Sequence, residues 1–240
     1  MDSLETELDR ARDLAVDDLA DAIESIGFEC TRCGACCKGY DPADDGESGV
    51  DTAEAEAGAT ELEPHTATVF PDEVRELQAA GDYDWRDVAR PMPYGLDGGD
   101  GDSDTSGETF EWALQTDACG DCTFYQEHDD GTGHCGVHED RPLICKTYPF
   151  SVALGGTSQP MGEAVDGEGM VRAHECEGLG RDISREEAEE LAAALKERAI
   201  REIEEAIAVR ENYEPRDVDG VVVHDSEGQK RPDGTTIGSD

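Results

Sequence analysis

Apolar residues recur at steps of three and four from the start of the chain: Leu4, Leu8, Ala11, Ala15, Leu19, Ile23 and Ile26. That period predicts an amphipathic helix over 3–26, capped by Ser3, stopped by Gly27 and packed on the core by its apolar face. A second stripe, Leu191, Leu195, Ile200, Ile203 and Ile207, predicts a helix over 185–211 that opens on the capping-box pair Ser184 and Glu187. Between the two the pattern shortens. His65 to Phe70 predicts a short strand. Pro71 suits the first turn of a helix running to Ala80, with Asp72 and Glu73 at its positive end, Val74 and Leu77 facing inward and Gly81 as its stop. Thr109 to Gln115 alternates like a half-buried strand, and Met170 to Ala173 predicts another. A small hairpin is expected around Val221-Val222-Val223, before a polar tail.

Two stretches, 41–64 and 95–107, are rich in Asp, Glu and Gly and carry no apolar period, so they read as solvated acidic insertions. The expected fold class is α+β: a small domain of mixed helix and short strands organised around a cysteine metal site, with flanking N- and C-terminal helices. Its divisions are an amphipathic helix over 1–27, a cysteine-cluster domain over 28–180 holding both insertions, a helix over 181–212, and a hairpin with a polar tail over 213–240.

Composition sharpens this picture. Only 36% of the 240 residues are hydrophobic and 5% aromatic, so the core is thin for the length, and metal ligation is one way to compensate. Sixty acidic residues against nineteen basic ones give a net charge of −41, and the only lysines are Lys38, Lys146, Lys196 and Lys230. Such a chain repels itself in dilute buffer. Molar salt removes the penalty, because the screening length falls to about 3 Å at 1 M. The composition therefore suggests a salt-loaded cytoplasm, as in salt-loving archaea. A surface of this sign argues against binding nucleic acid or anionic lipid. No run is apolar enough to span a membrane, and Met1 to Glu5 lacks an apolar signal core. The expected location is the cytoplasm, where thiols stay reduced and point to metal rather than disulfides. Nine cysteines, an odd number, cannot all pair.

The cysteines lie in groups. Cys30, Cys33, Cys36 and Cys37 fall within eight residues. Cys119, Cys122, Cys135 and Cys145 follow, with Cys176 beyond. Zinc and iron take thiolates at about 2.3 Å, and Cys-x-x-Cys turns two sulfurs toward one ion. The steps Cys30-x2-Cys33-x2-Cys36 also match the start of runs that hold iron–sulfur clusters. Gly34 permits a positive φ between ligands. Cys36 and Cys37 are adjacent, so their side chains are expected to point apart and to serve different ions, bridge two metals or complete a cluster from another angle. Arg32 and Lys38 would help to lower thiol pKa values. Pro142 can begin a short helical turn that presents Cys145, and Arg141 and Lys146 can hydrogen-bond or offset the sulfurs. His128, His134, His138 and His174 flank the cysteines and read as loop or outer-shell donors before ligands. His65 and His224 read as structural or exposed.

The string Cys30-x2-Cys33-Gly34-x-Cys36-Cys37 is followed by a Cys-x-Phe element, Cys135 with an acidic residue, Arg141-Pro142-x2-Cys145 and Tyr148-Pro149-Phe150. Together these resemble the YkgJ-type cysteine-cluster family, a zinc- or iron-chelating domain, over residues 28–180. The resemblance implies Cys30, Cys33, Cys36, Cys37, Cys122, Cys135, Cys145 and Cys176 as ligands, and Cys176-Glu177-Gly178-Leu179-Gly180 looks like the closing element. Lys146 stands where the family usually has arginine, and Cys119 is additional, a spare or a replacement for Cys122.

The leading expectation is a cytoplasmic module that binds zinc or iron, including as an iron–sulfur cluster, for electron transfer or metal handling. The alternatives are a structural zinc protein whose acidic face takes a protein partner, and an enzyme. The enzyme would be an iron–sulfur oxidoreductase or a lysine methyltransferase-like protein, since a similar cysteine cluster occurs in the flagellin lysine N-methylase. No catalytic residue is assigned. Ser-His-Asp sets, phosphate-cradling loops and dinucleotide or S-adenosylmethionine glycine motifs are not recognisable in the sequence.

Overall fold

The computed structural model describes residues 2–40, 63–97, 105–129, 131–158, 163–164, 169–215 and 219–238. Most of both expected acidic insertions, 41–62 and 98–104, lies outside them. The fold is α+β.

The expected helix over 3–26 is two helices, α1 (Leu4–Asp13) and α2 (Val16–Ile26). Leu14 and Ala15 are extended, at ψ 128° and 124°. Neither glycine nor proline marks the break, and Lys196 stabilises it from outside by donating to the Leu14 carbonyl at 2.7 Å. Ser3 caps α1 by accepting the Thr6 N–H, and Gly27 closes α2 at φ 74°. Breaking the axis lets both short helices lie on the long C-terminal helix.

Two short helices and five strands follow the cysteine string: β1 (Thr68–Val69), α3 (Pro71–Ala80), α4 (Trp85–Val88), β2 (Ala89–Pro91), β3 (Leu96–Asp97), β4 (Ser106–Thr109) and β5 (Trp112–Leu114). α3 has the predicted bounds, with Val74 and Leu77 buried. The strand expected over 109–115 is split. Thr109 ends β4, which pairs with β3 and, in parallel, with β11 (Val221–Asp225). Trp112 begins β5, which lies between β1 and β2 in another sheet. The split follows from pairing across the chain, since Thr109 faces Val223 while Trp112 faces Val69 and Pro91.

The remaining elements are the hairpin of β6 (Tyr125–Glu127) and β7 (Gly133–Cys135), the helix α5 (Leu143–Thr147), the antiparallel sheet of β8 (Phe150–Val152), β10 (Val171–Ala173) and β9 (Glu163–Ala164), the helix α6 (Arg185–Asn212), and the hairpin of β11 with β12 (Gly228–Lys230). α6 opens on the predicted capping box. Its buried seam is largely alanine: Ala188, Ala192 and Ala199 alternate with Leu195 and Ile203, while Leu191, Ile200 and Ile207 pack at the margins. Small side chains let α1 and α2 approach closely.

Two apolar clusters result. One joins α1, α2, α6, β8 and β10. The other joins β1, β5, α3 and α4 with Phe124, Val137 and Val223. Among the described residues no helix is long and apolar enough to cross a membrane. Leu195→Ala opens a hole in the α6 seam and should lower stability by about 2–5 kcal/mol, read from denaturant midpoints. An unchanged midpoint would contradict this packing.

Candidate metal centre

Residues 28–40 contain one short regular element, a 3-10 turn over Ala35–Cys37. Other segments hold the string mainly by its backbone. Glu29 N–H donates to the Gly178 carbonyl at 3.0 Å, and Gly180 N–H to the Gly27 carbonyl at 3.0 Å. Further on, the Arg32 carbonyl accepts from Gly133 N–H at 2.6 Å and the Cys37 carbonyl from Cys122 N–H at 2.8 Å. Gly34 has the predicted positive φ, 79°, and a Cβ there would lie 2.2 Å from the Tyr125 hydroxyl oxygen. Glycine is needed at this position twice over. Lys38 pairs with Glu127, which also accepts the Tyr125 hydroxyl at 2.9 Å.

These bonds set the segments at 122, 133 and 178 beside the string. Cys122 leaves the turn at 117–121 beside the string, and Cys135 ends β7 opposite Tyr125. Cys145 rides on α5, started by Pro142 as predicted. Cys176 turns back beside Glu29, its sulfur accepting Gly178 N–H at 3.4 Å. All nine cysteines are free thiols.

Burial and neighbouring thiols raise five of the thiols. Burial pushes Cys122 up from a thiol's ordinary 9 to about 11, with Cys135 and Cys36 adding to it. Cys145 is raised by burial, then by Cys122, Cys36 and Cys135. Cys135 is raised by burial, and Cys36 adds to this. Cys176 is raised by burial, then by Cys33, Cys36 and Cys30. Cys36 is raised first by its contact with Cys37 and then by lost hydration, although the residue keeps exposed surface, so the contact is the stronger cause. Cys36 thus adds to the rise at Cys122, Cys135, Cys145 and Cys176 alike. Cys119 sits in the 117–121 turn. It is exposed, and its N–H is held by Asp117 at 2.8 Å.

The expectation that Cys36 and Cys37 point apart is corrected. Inside the 3-10 turn their sulfurs lie 3.8 Å from each other. Sulfurs placed tetrahedrally about 2.3 Å from one ion are separated by about 3.8 Å, so this pair matches one edge of such a site. Among the described residues, no three His, Cys, Asp or Glu side chains are closed around a common point.

A family model, CxxCxxCC, described as "Putative zinc- or iron-chelating domain", matches residues 29–177. The chain belongs to the CxxCxxCC family. The match runs from just before Cys30 to just after Cys176, as the YkgJ-type resemblance implied. Comparison with curated proteins and with solved structures finds no match.

Within the CxxCxxCC region, Arg141 is the expected cation that faces sulfur. Its charge opposes the rise at Cys36, Cys135 and Cys145, while its Nε donates to the His138 carbonyl at 2.9 Å. Lys146 is exposed. Tyr148 is a neighbour that spacing does not disclose. Burial raises its hydroxyl first, then Cys176, Cys36, Cys33 and Cys37. Its only signal in the sequence is the Tyr148-Pro149-Phe150 string.

The histidines stand apart from the sulfurs in role. His128 and His134 are exposed, their rings 6.0 Å apart, and His138 is exposed beside Glu139. His174 packs edge-on to Tyr148 at 5.9 Å. His224 is buried against Phe110 and Glu108.

His65 is held by burial, and then by Arg90, at a pKa of about 4, below its ordinary 6.5. Neutral His65 is therefore favoured in the folded state. The stability this contributes is present above pH 6.5 and is lost as pH falls through about 4. Denaturant midpoints across that window should fall less steeply for His65→Gln than for the natural chain, and parallel curves would contradict the assignment.

Proposed function

We propose that the chain chelates zinc or iron through Cys30, Cys33, Cys36, Cys37, Cys122, Cys135, Cys145 and Cys176, and that the metal fastens together the segments carrying them. The observation that carries this reading is the Cys36–Cys37 pair, its sulfurs 3.8 Å apart, with the Cys37 carbonyl accepting the Cys122 N–H at 2.8 Å. A thiol-only donor set suits zinc, iron or an iron–sulfur cluster. The residues fit such a group: the thiols are free and would repel one another once ionised, and the Arg141 charge favours the ionised form of Cys36 and Cys135. A divalent ion reverses that balance by stabilising the thiolates.

A pair of neighbouring ions or one extended cluster would use all eight sulfurs, which a single four-sulfur site would not. When bound, the metal supplies cross-links between distant stretches of backbone. Cys30 and Cys36 keep exposed surface, which would leave an ion or cluster within reach of a redox or metal-exchange partner. The acidic composition fits a protein that works in molar salt.

Metal analysis with visible and paramagnetic-resonance spectra on anaerobically purified protein tests the reading. Stoichiometric zinc in colourless protein identifies a zinc module, whereas broad visible absorption with stoichiometric iron identifies a cluster. Neither metal at stoichiometric level would overturn the proposal. Cys33→Ser should lose metal and lower Tm, while Cys119→Ser should keep both near the natural values. Equal metal retention in the two variants would overturn the ligand assignment.

A further inference from the structure

The helix that presents Cys145 spans only Leu143–Thr147 and has no side-chain cap of its own. A helix this short is unstable in isolation. Buried charged side chains from two other helices secure both its ends. At the start, Glu73 of α3, 6% exposed, accepts the Leu143 N–H through Oε1 at 2.8 Å. Its Oε2 accepts the Phe70 N–H at 3.0 Å, so one carboxylate opens both α3 and α5.

At the far end, buried Thr147 donates its hydroxyl to the Leu143 carbonyl at 2.7 Å and accepts from Nη1 of Arg198 at 3.0 Å. The same Nη1 reaches the Phe150 carbonyl at 3.3 Å, and Nε pairs with Glu202 at 2.8 Å. Glu202 in turn accepts the Ser158 N–H at 3.1 Å and its hydroxyl at 2.6 Å. Arg198 is 6% exposed and lies outside the matched residues 29–177.

We infer that Glu73 and Arg198 are positioning residues for Cys145, clamping its helix from both ends so that the thiol keeps its place against the apolar cluster that Cys122 and Cys135 share. This rests on the reading of Cys145 as a metal ligand. Burying a carboxylate and a guanidinium costs free energy that a well-packed apolar pair would not. What the charges add is direction: the carboxylate fixes two N–H groups, and the planar guanidinium fixes a hydroxyl and a carbonyl at set angles. α3 belongs to one apolar cluster and α6 to the other, so the clamp refers one thiol to both cores.

The test is a double-mutant cycle on the full chain. Zinc affinity is measured by competition with a chromophoric chelator, and cobalt(II) is loaded in parallel to read the thiolate charge-transfer band. Glu73→Gln keeps one acceptor but turns an amide N–H toward the other donor. It should weaken zinc binding by about 10- to 100-fold, the usual effect of losing a partner that orients a ligand. It should also shift the cobalt band, and it should cost little more in a Cys145→Ser background.

If Cys145→Ser binds zinc as tightly as the natural chain, Cys145 is not a ligand, and the inference falls with that assignment. If Cys145→Ser weakens binding but Glu73→Gln does not, or costs the same in both backgrounds, the clamp alone is overturned. Should Glu73→Gln fail to fold, Arg198→Lys repeats the cycle from the other end, keeping a charge for Glu202 while losing the guanidinium fork. Failure of both variants to fold would make the two residues structural and overturn the inference as well.

Discussion

Residues 28–37 touch both apolar clusters and make almost none of that contact with apolar side chains. Phe28 packs edge-on to Phe150 at 5.7 Å in one cluster, and Cys37 packs against the other. Between them the chain is fixed by a few backbone hydrogen bonds to 133, 122 and 178. Ordering a residue costs about 1–2 kcal/mol, while each such bond returns a net of about 0.5–1.5 kcal/mol. Three bonds cannot hold ten residues in one shape on those terms. Under the proposed chelation, structural zinc, worth about 10–16 kcal/mol in small thiolate sites at neutral pH, would supply the remainder. The cysteine string is thus held to both clusters more by backbone than by apolar packing.

The charges sort into two kinds. On the surface, single cations serve several carboxylates: Arg185 meets Asp17, Asp21, Glu24 and Glu189, and Arg210 meets Glu5 and Glu211. Exposed pairs of this kind contribute about 0–1 kcal/mol each and weaken in salt. They relieve self-repulsion and decide little about shape. The buried ones are different. Lys230, 4% exposed, bonds Asp225 at 2.8 Å and Glu227 at 2.7 Å, and Asp225 also accepts Trp112 Nε1 at 2.8 Å. Arg198 and Glu202 form a second such group at the foot of α5. Their buried members, Lys230 with Asp225 and Arg198 with Glu202, are screened by salt far less than the surface pairs. They tie Asp225 of β11 to Trp112 of β5 and set which turn of α6 meets Thr147 of α5.

Local signals carried much of this fold. Pro71 and Gly81 bound α3, Ser184 and Glu187 open α6, and Gly34 takes its positive φ as backbone chemistry requires. The family match spans all eight cysteines that the resemblance named. What local pattern missed was set at long range. The stop at Leu14 is satisfied by Lys196, far along the chain, and carries no mark in its own sequence. Thr109 and Trp112 share one alternating stretch but pair with partners more than a hundred and about forty residues away, in different sheets. α6 reads as a leucine and isoleucine stripe, yet its seam is mostly alanine, because close approach of α1 and α2 rewards small volume over apolar area. Cys36 and Cys37 defied the rule for adjacent residues because a 3-10 turn, which the sequence marks only by Gly34, brings their sulfurs together.

Arg141 bears on how so acidic a chain could hold ionised sulfur. Four thiolates around one divalent ion leave a net negative charge, and sharing sulfurs between ions reduces that excess without removing it. The surrounding protein adds more of the same sign, so a buried thiolate site here needs a fixed positive partner. Arg141 is anchored by its own Nε to the His138 carbonyl, and its charge favours the ionised form of Cys36, Cys135 and Cys145, drawn from three segments. It is also joined directly to Pro142, which opens the helix bearing Cys145. Charge and position therefore come from one short stretch. A lysine there would keep the charge, but its single ammonium could not be held at the carbonyl by one nitrogen while the rest of the group faces sulfur. That is a physical reason for arginine at this position, independent of the family pattern.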